Sequence, residues 1–394
     1  MNFSHNTFLD KLAQTTSSPF LLDIESAEGV YLHTPDGKKY MDLISGVGVS
    51  AIGHRHPYVI NAIKEQLDKH MHVMVYGEFV QSSPNMLAET LTSLLPEQLN
   101  CCYFVNSGTE ANEGALKLAK RFTGRSEIIA FRGAYHGSTH GSLSVSGNEY
   151  KKFAFRPLLP DVRFINFNKI DELDAITDQT AGVIVEPIQG DAGVRIPDQA
   201  YMQALRDKCT ATGAILIFDE IQSGMGRTGK LFAFEHFNVV PDILTTAKAL
   251  GGGLPIGAFI SSHDMMQALT HDPMLGHITT FGGNPVCCAA ANATLEVIEN
   301  ERLLEGVEAK GQRFEELLQH PRIKEIRRIG LFFAIEFETA DEVSKIVSSC
   351  LEKGIITFWF LSCPNSFRIA PPLNISDAEI TKSCNVIRAA IDSL

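Results

Sequence analysis

Three stretches of this chain carry residue types that could do chemistry. In residues 245–259, TTAKALGGGLPIGAF, Lys248 sits among alanine, leucine and glycine. A lysine in apolar company loses its proton more readily, and the free amine is a nucleophile toward aldehydes. The plainer alternative is a surface lysine on a glycine-rich loop. In residues 218–230, FDEIQSGMGRTGK, Asp219 closes an apolar run that reads as a buried strand. Carboxyl ends of strands are where ligands bind in open α/β sheets. In residues 106–120, NSGTEANEGALKLAK, a turn of small residues opens a helix. Its free amides and positive end suit a phosphate, a dipole effect of about 0.3–1 kcal/mol. Ser107 and Thr109 add hydroxyl donors, and Gly108 permits close approach. Taken alone, an ordinary N-cap is the commoner explanation of the same residues.

Taken together the three are more specific. A lysine for a Schiff base, a carboxylate for a pyridine nitrogen and a phosphate cradle are what pyridoxal phosphate chemistry requires. Two competing motifs fail on context. Gly224, Gly226 and Gly229 spell GxGxxG, and with Lys230 the stretch approaches a Walker A loop. Yet Asp219 and Glu220 separate those glycines from the strand and would repel a pyrophosphate. Leu231 stands where a Ser or Thr would hold magnesium. His54 and His56 are two apart before Pro57 with no third ligand nearby, so they read as a turn and helix start, not a metal pair.

The elements that must position these residues follow from periodicity. After a polar helix, residues 28–43 alternate about the Pro35-Asp36-Gly37 turn as a hairpin. Helices are expected at 57–70, 86–95, 110–122 and 201–212. Short apolar strands are expected at 101–105, 128–131, 162–164, 181–185, 214–218, 243–246 and 257–260. Short apolar strands between helices imply an α/β fold with a mostly parallel sheet flanked by helices. A long helical stretch at 286–318 and strands near 331–336, 355–358 and 366–369 form a smaller α+β part. At about 150 residues per domain, 394 residues suggest two or three units. The divisions are 1–50, docking on the small part, 51–285 for the large part, and 286–394. Apolar residues at 44% and charged residues at 20% are those of an ordinary globular chain. A net charge of −12 argues against nucleic acid as partner. Eight cysteines without a CxxC pair suggest reduced thiols in the cytoplasm. The N-terminus has no signal-like apolar region, and no run approaches the ~20 apolar residues of a membrane span.

From the hairpin to FRIAPPLNIS near the C-terminus, the chain resembles the class III aminotransferases, fold type I pyridoxal phosphate enzymes. Within them it is most similar to the acetylornithine/ornithine aminotransferase group. The resemblance implies that Lys248 forms the Schiff base, Asp219 pairs with the pyridine nitrogen, and Ser107, Gly108 and Thr109 hold the phosphate. It implies that Tyr135, in AYHG, stacks on the cofactor ring and Gln222 sits near the ring hydroxyl. Glu186, in VEPIQG, is placed on the substrate amine side, and Arg368, in FRIAPPL, binds a carboxylate. Thr280, in HITTFGGNP, is implied to reach the phosphate of a neighbouring subunit, with Thr279 close to the substrate. The implied assembly is a homodimer with shared active sites. The implied reaction moves an amino group from an ω-amino donor to a 2-oxo acid.

Three positions depart from the group's pattern. Ser138 stands where an arginine normally grips a carboxylate, with Arg368 or Arg132 as possible substitutes. Val47 replaces the tyrosine of ornithine enzymes and leans away from free ornithine. Asp191 replaces a glutamate that bears on Arg368. Ser138 keeps open an amine or β-/ω-amino acid–pyruvate aminotransferase, and a class III aminomutase is a further alternative.

Overall fold

A computed structural model describes residues 5–394; Met1–Ser4, the start of the expected polar helix, lie outside the described residues. The remainder of that helix is His5–Lys11. Seven strands form the main sheet. Their spatial order is Cys101–Val105, Gly257–Ser261, Ile243–Thr246, Ile215–Asp219, Thr180–Val185, Glu127–Phe131 and Val162–Ile165. Gly257–Ser261 runs antiparallel to both its neighbours, and every other pairing is parallel. The carboxyl ends Val105, Thr246, Asp219, Val185 and Phe131 therefore share one edge.

The central strands are buried at every position, which is why they read as unbroken apolar runs. The two-residue period divides them between two cores. Ile217 joins Ala111, Ala115 and Leu118 of helix Gly108–Thr123 on one face. Leu216 and Phe218 join Leu205 and Cys209 of helix Gln199–Thr212 on the other. The first helix lies close to the sheet. A Cβ on Gly114 would come within 2.3 Å of the Phe259 ring.

The smaller part departs from the expected elements in three ways besides the unexpected edge strand Glu325–Ile329. The stretch 286–318 is two helices, Pro285–Asn300 and Val307–Leu317, broken at Arg302 (φ 51°) and a 3-10 turn, Leu303–Gly306. The first of them packs on Pro57–Lys69 and Ser82–Ser93. The strand expected at 355–358 is divided between sheets. Ile355–Ile356 pairs parallel with Lys39–Asp42 of the N-terminal hairpin. Phe358–Trp359 joins a four-stranded antiparallel sheet with Ser366–Ile369, Phe332–Glu336 and Glu325–Ile329. Finally, helices Ala340–Glu352 and Asp377–Asp392 were not among the expected elements. Each opens with a capping box, Thr339 with Glu342 and Ser376 with Glu379. Among the described residues, no helix is long and apolar enough to cross a membrane.

Candidate active site

A pocket of about 510 Å³ opens at the shared strand edge. Strand Ile243–Thr246 delivers Lys248 into it, on a short turn where the lysine takes φ 47°. A non-glycine residue in the left-handed region is uncommon and marks a position imposed by its surroundings. Burial lowers the Lys248 pKa below the ordinary lysine value, and the Arg368 charge adds to the effect. Asp219, Glu186 and Asp191 oppose it. The amine is thus shifted toward its nucleophilic form.

Asp219 ends the neighbouring strand and is almost fully buried. Its Oδ2 accepts hydrogen bonds from Asn112 Nδ2 (2.8 Å) and His136 Nδ1 (2.7 Å), and its Oδ1 accepts from the Ile221 amide (3.1 Å). Thr245 Oγ1 donates to Asn112 Oδ1 at 2.8 Å and so fixes that amide's orientation. Asn112 Nδ2 also donates to the His136 carbonyl at 2.7 Å. A carboxylate held by three donors is rigid and remains an acceptor toward the pocket. Asn112, His136 and Thr245 were not singled out in the sequence. One signal for Asn112 was available: it lies one helical turn beyond Gly108, on the alanine-rich buried face of its helix.

The turn at 106–109 caps its helix and leaves two amides open to the pocket. Ser107 is an N-cap, its Oγ accepting from the Glu110 amide at 3.3 Å. The amides of Gly108 and Thr109 have no acceptor among the described residues, and both residues line the pocket. A Cβ on Gly108 would lie 2.7 Å from Ile221 Cδ1, so glycine keeps the cradle open. Gly108→Ala is therefore expected to weaken cofactor affinity about ten-fold, a displaced contact of ordinary hydrogen-bond size. Equilibrium titration of cofactor-free protein measures it, and an unchanged affinity would remove Gly108 from the cradle.

Tyr135, Ser138, Glu186 and Gln222 also line the pocket. The Tyr135 hydroxyl lies 3.3 Å from Ser138 Oγ. Buried Glu186 accepts from the amides of Tyr135 and Gly190, each at 3.2 Å. Burial, then the Asp219 charge, raises its pKa well above the ordinary carboxyl range. Three sequence candidates do not line the pocket. Arg368 is buried behind it, donating to Asp191 Oδ1 at 3.0 Å, with the Phe360 ring 4.4 Å from its guanidinium. Thr279 faces a separate groove with Tyr76 and Phe104, and Thr280 is exposed. The residues present thus suit an aromatic aldehyde bearing a phosphate: an amine, a rigid carboxylate, and free amides at a helix start. Among the described residues no cluster of His, Cys, Asp and Glu is arranged to hold a metal.

Comparison with known proteins agrees with this geometry. Residues 12–391 match the family model "Aminotransferase class-III". The chain belongs to the class III aminotransferases, enzymes that depend on pyridoxal phosphate. It is 39% identical over 380 residues to the acetylornithine aminotransferase of Methanopyrus kandleri, covering 95% of each chain. It is 38% identical to the LysW-aminoadipate semialdehyde/glutamate semialdehyde transaminase of Sulfolobus acidocaldarius, covering 94% of this chain and 95% of that one. The ornithine aminotransferase of Toxoplasma gondii superposes with a TM-score of 0.92 at 29% identity, over 99% of this chain and 93% of the other. That structure is described with partial occupancy of pyridoxal phosphate at its active site.

Proposed function

We propose that this aminotransferase takes the ω-amino group of an acetylornithine-like donor and passes it to a 2-oxo acid through the Lys248 pocket. The observation that carries the reading is the meeting of Lys248, Asp219 and the 107–109 cradle on one strand edge. Relatives named for acetylornithine favour this donor class over amine–pyruvate transfer or an aminomutase. When bound, pyridoxal phosphate carries the amino group between substrates and accepts electron density from the breaking C–H bond. Lys248 removes the proton from the donor carbon and returns it, as general base and then acid. Asp219 would keep a positive charge on the cofactor's ring nitrogen. Ser107, Gly108 and Thr109 would hold its phosphate, with Tyr135 and Gln222 as its further contacts. Glu186 lies on the amine side.

Arg368 is the proposed carboxylate anchor. Its single bond to Asp191 leaves Arg368 Nε and Asp191 Oδ2 without partners among the described residues. An arginine held by one bond keeps donors for a bidentate grip on a substrate carboxylate. A homodimer belongs to the same proposal. Phe79, Val80, Met274 and Phe281 are between 55% and 92% exposed, on segments around the Thr279 groove. Apolar surface of that kind suits burial against a second copy, where Thr280 would serve the partner's phosphate and Thr279 its substrate. The divisions at 50 and 285 and a reducing, cytoplasmic setting for the eight free cysteines complete the reading.

A half-reaction screen tests the donor class. Holoenzyme is mixed in turn with N-acetylornithine, ornithine, 4-aminobutyrate, β-alanine and an aryl amine, and loss of its yellow absorbance is followed. N-acetylornithine is expected to bleach it fastest, with free ornithine slower because Val47 offers no hydroxyl to an α-amino group. Bleaching by the aryl amine alone, or isomerisation without amine loss, would overturn the reading.

A further inference from the structure

Next to the pocket, the backbone does something that an apolar sequence would not do unaided. Ser45, Gly46, Val47 and Gly48 have φ values of 49°, 57°, 67° and 80°. Two of these four left-handed residues carry side chains, and Val47 is β-branched. Such a run persists only where its surroundings over-determine it.

The surroundings are specific. Asp42 is buried at the end of strand Lys39–Asp42. Its Oδ1 accepts from the Ile44 amide at 3.0 Å and its Oδ2 from the Gly46 amide at 2.8 Å. His54 Nε2 donates to the same Oδ2 at 2.9 Å, while its Nδ1 lies 3.2 Å from Ser50 Oγ. The Ser50 amide returns to the Ser45 carbonyl at 2.9 Å. From the other side, Ser45 Oγ donates to the Ala370 carbonyl at 2.7 Å, and the Ala370 amide donates to the Leu43 carbonyl at 2.7 Å. The turn is thus clamped between the Asp42–His54 pair and the segment that follows Arg368. It packs beside the lysine stem: a Cβ on Gly48 would lie 3.9 Å from Lys248 Cδ, and Val49 lines the pocket.

We infer that Asp42 and His54 are positioning residues for the donor, holding the left-handed Ser45–Gly48 turn beside Lys248 and, through it, Val49 of the pocket wall. Neither residue lines the pocket; they act through the backbone amides of the turn. The inference rests on the pocket being the donor site. His54 therefore has a role that its place in GHRHP did not disclose. His56, two residues on, starts the helix Pro57–Lys69, its Nε2 3.1 Å from Glu301 Oε1.

The experiment uses hydrogen exchange on holoenzyme, with steady-state kinetics alongside. In His54→Ala, exchange of the amides in residues 44–50 is expected to rise at least about ten-fold, while residues 101–123 and cofactor affinity stay unchanged. The donor KM rises about ten-fold and kcat stays within about three-fold, the signature of lost donor positioning. His54→Gln, which can still donate to Asp42, keeps wild-type exchange and KM. Val47→Gly in the His54→Ala background restores both toward the Val47→Gly values, because glycine takes the left-handed conformation without a clamp. Unchanged exchange in His54→Ala overturns the inference. So does a loss shared equally by residues 101–123 and cofactor binding, or a double variant that is not rescued. Should His54→Ala not fold, the double variant is expected to fold and bind cofactor, and its failure counts against the clamp. If no tested donor reacts with the wild type, the donor reading fails, while the exchange arm still decides whether the pair holds the turn.

Discussion

Lys248→Ala is expected to fold, to bind pyridoxal phosphate without a covalent bond, and to turn over at least about 10⁴-fold more slowly. The upper range for a single positioned acid–base group is already of that order, and here the nucleophilic role is lost as well. Binding survives because the cradle at Gly108 and Thr109 and the Asp219 network do not depend on the lysine. No second lysine lines the pocket. Lys152 is also buried, but its amine donates to the Ser146 carbonyl at 2.9 Å and lies 3.9 Å from the Phe164 ring centre. It is already committed elsewhere. Single-turnover kinetics and cofactor retention on gel filtration make the measurement. Near-wild-type turnover would refute the role of Lys248, and loss of cofactor binding would show that the covalent bond, not the cradle, retains the group.

Asp219→Asn carries the second largest expected effect, a loss of about 10²–10³ in kcat, the range for removing one preorganised electrostatic contact. Two causes combine. The variant removes the negative charge facing the ring nitrogen. It also disturbs the network, because an asparagine amide turned toward Asn112 Nδ2 and His136 Nδ1 would set donor against donor. Asp219→Glu is expected to recover charge but not position, and so to fall between. Rates of the donor half-reaction and cofactor affinity should fall together in Asp219→Asn. A variant with full kcat would place the ring-nitrogen partner elsewhere.

Much of this site could be read before any fold was known. The strands carrying Asp219 and leading to Lys248 are covered on both faces, so burial wrote itself into the sequence as uninterrupted apolar runs. The helix start at 107–109 was legible because a cap is written in local residues, and Ser107 does cap. The Asn112–Thr245–His136 support was not legible. It joins residues 107, 133 and 83 positions apart, and nothing local marks them as neighbours. Glu325–Ile329 was missed because its charged residues hide a half-buried edge strand. The division of 355–358 depended on which sheet offered a free edge, a choice made in three dimensions.

By itself, the sequence determined the reactive types: a lysine in an apolar loop, a carboxylate at a strand end and a small-residue helix start, all set by residue type and local spacing. Tertiary structure alone decided how those groups are held and how the segment beside Lys248 is shaped. Asp191 meets Arg368 across 177 residues, and the left-handed turn beside Lys248 is imposed by Asp42, His54 and Ala370. The physical reason is that reactivity follows from a side chain and its immediate surroundings. Orientation follows from hydrogen bonds between distant segments, which exist only once the chain has closed.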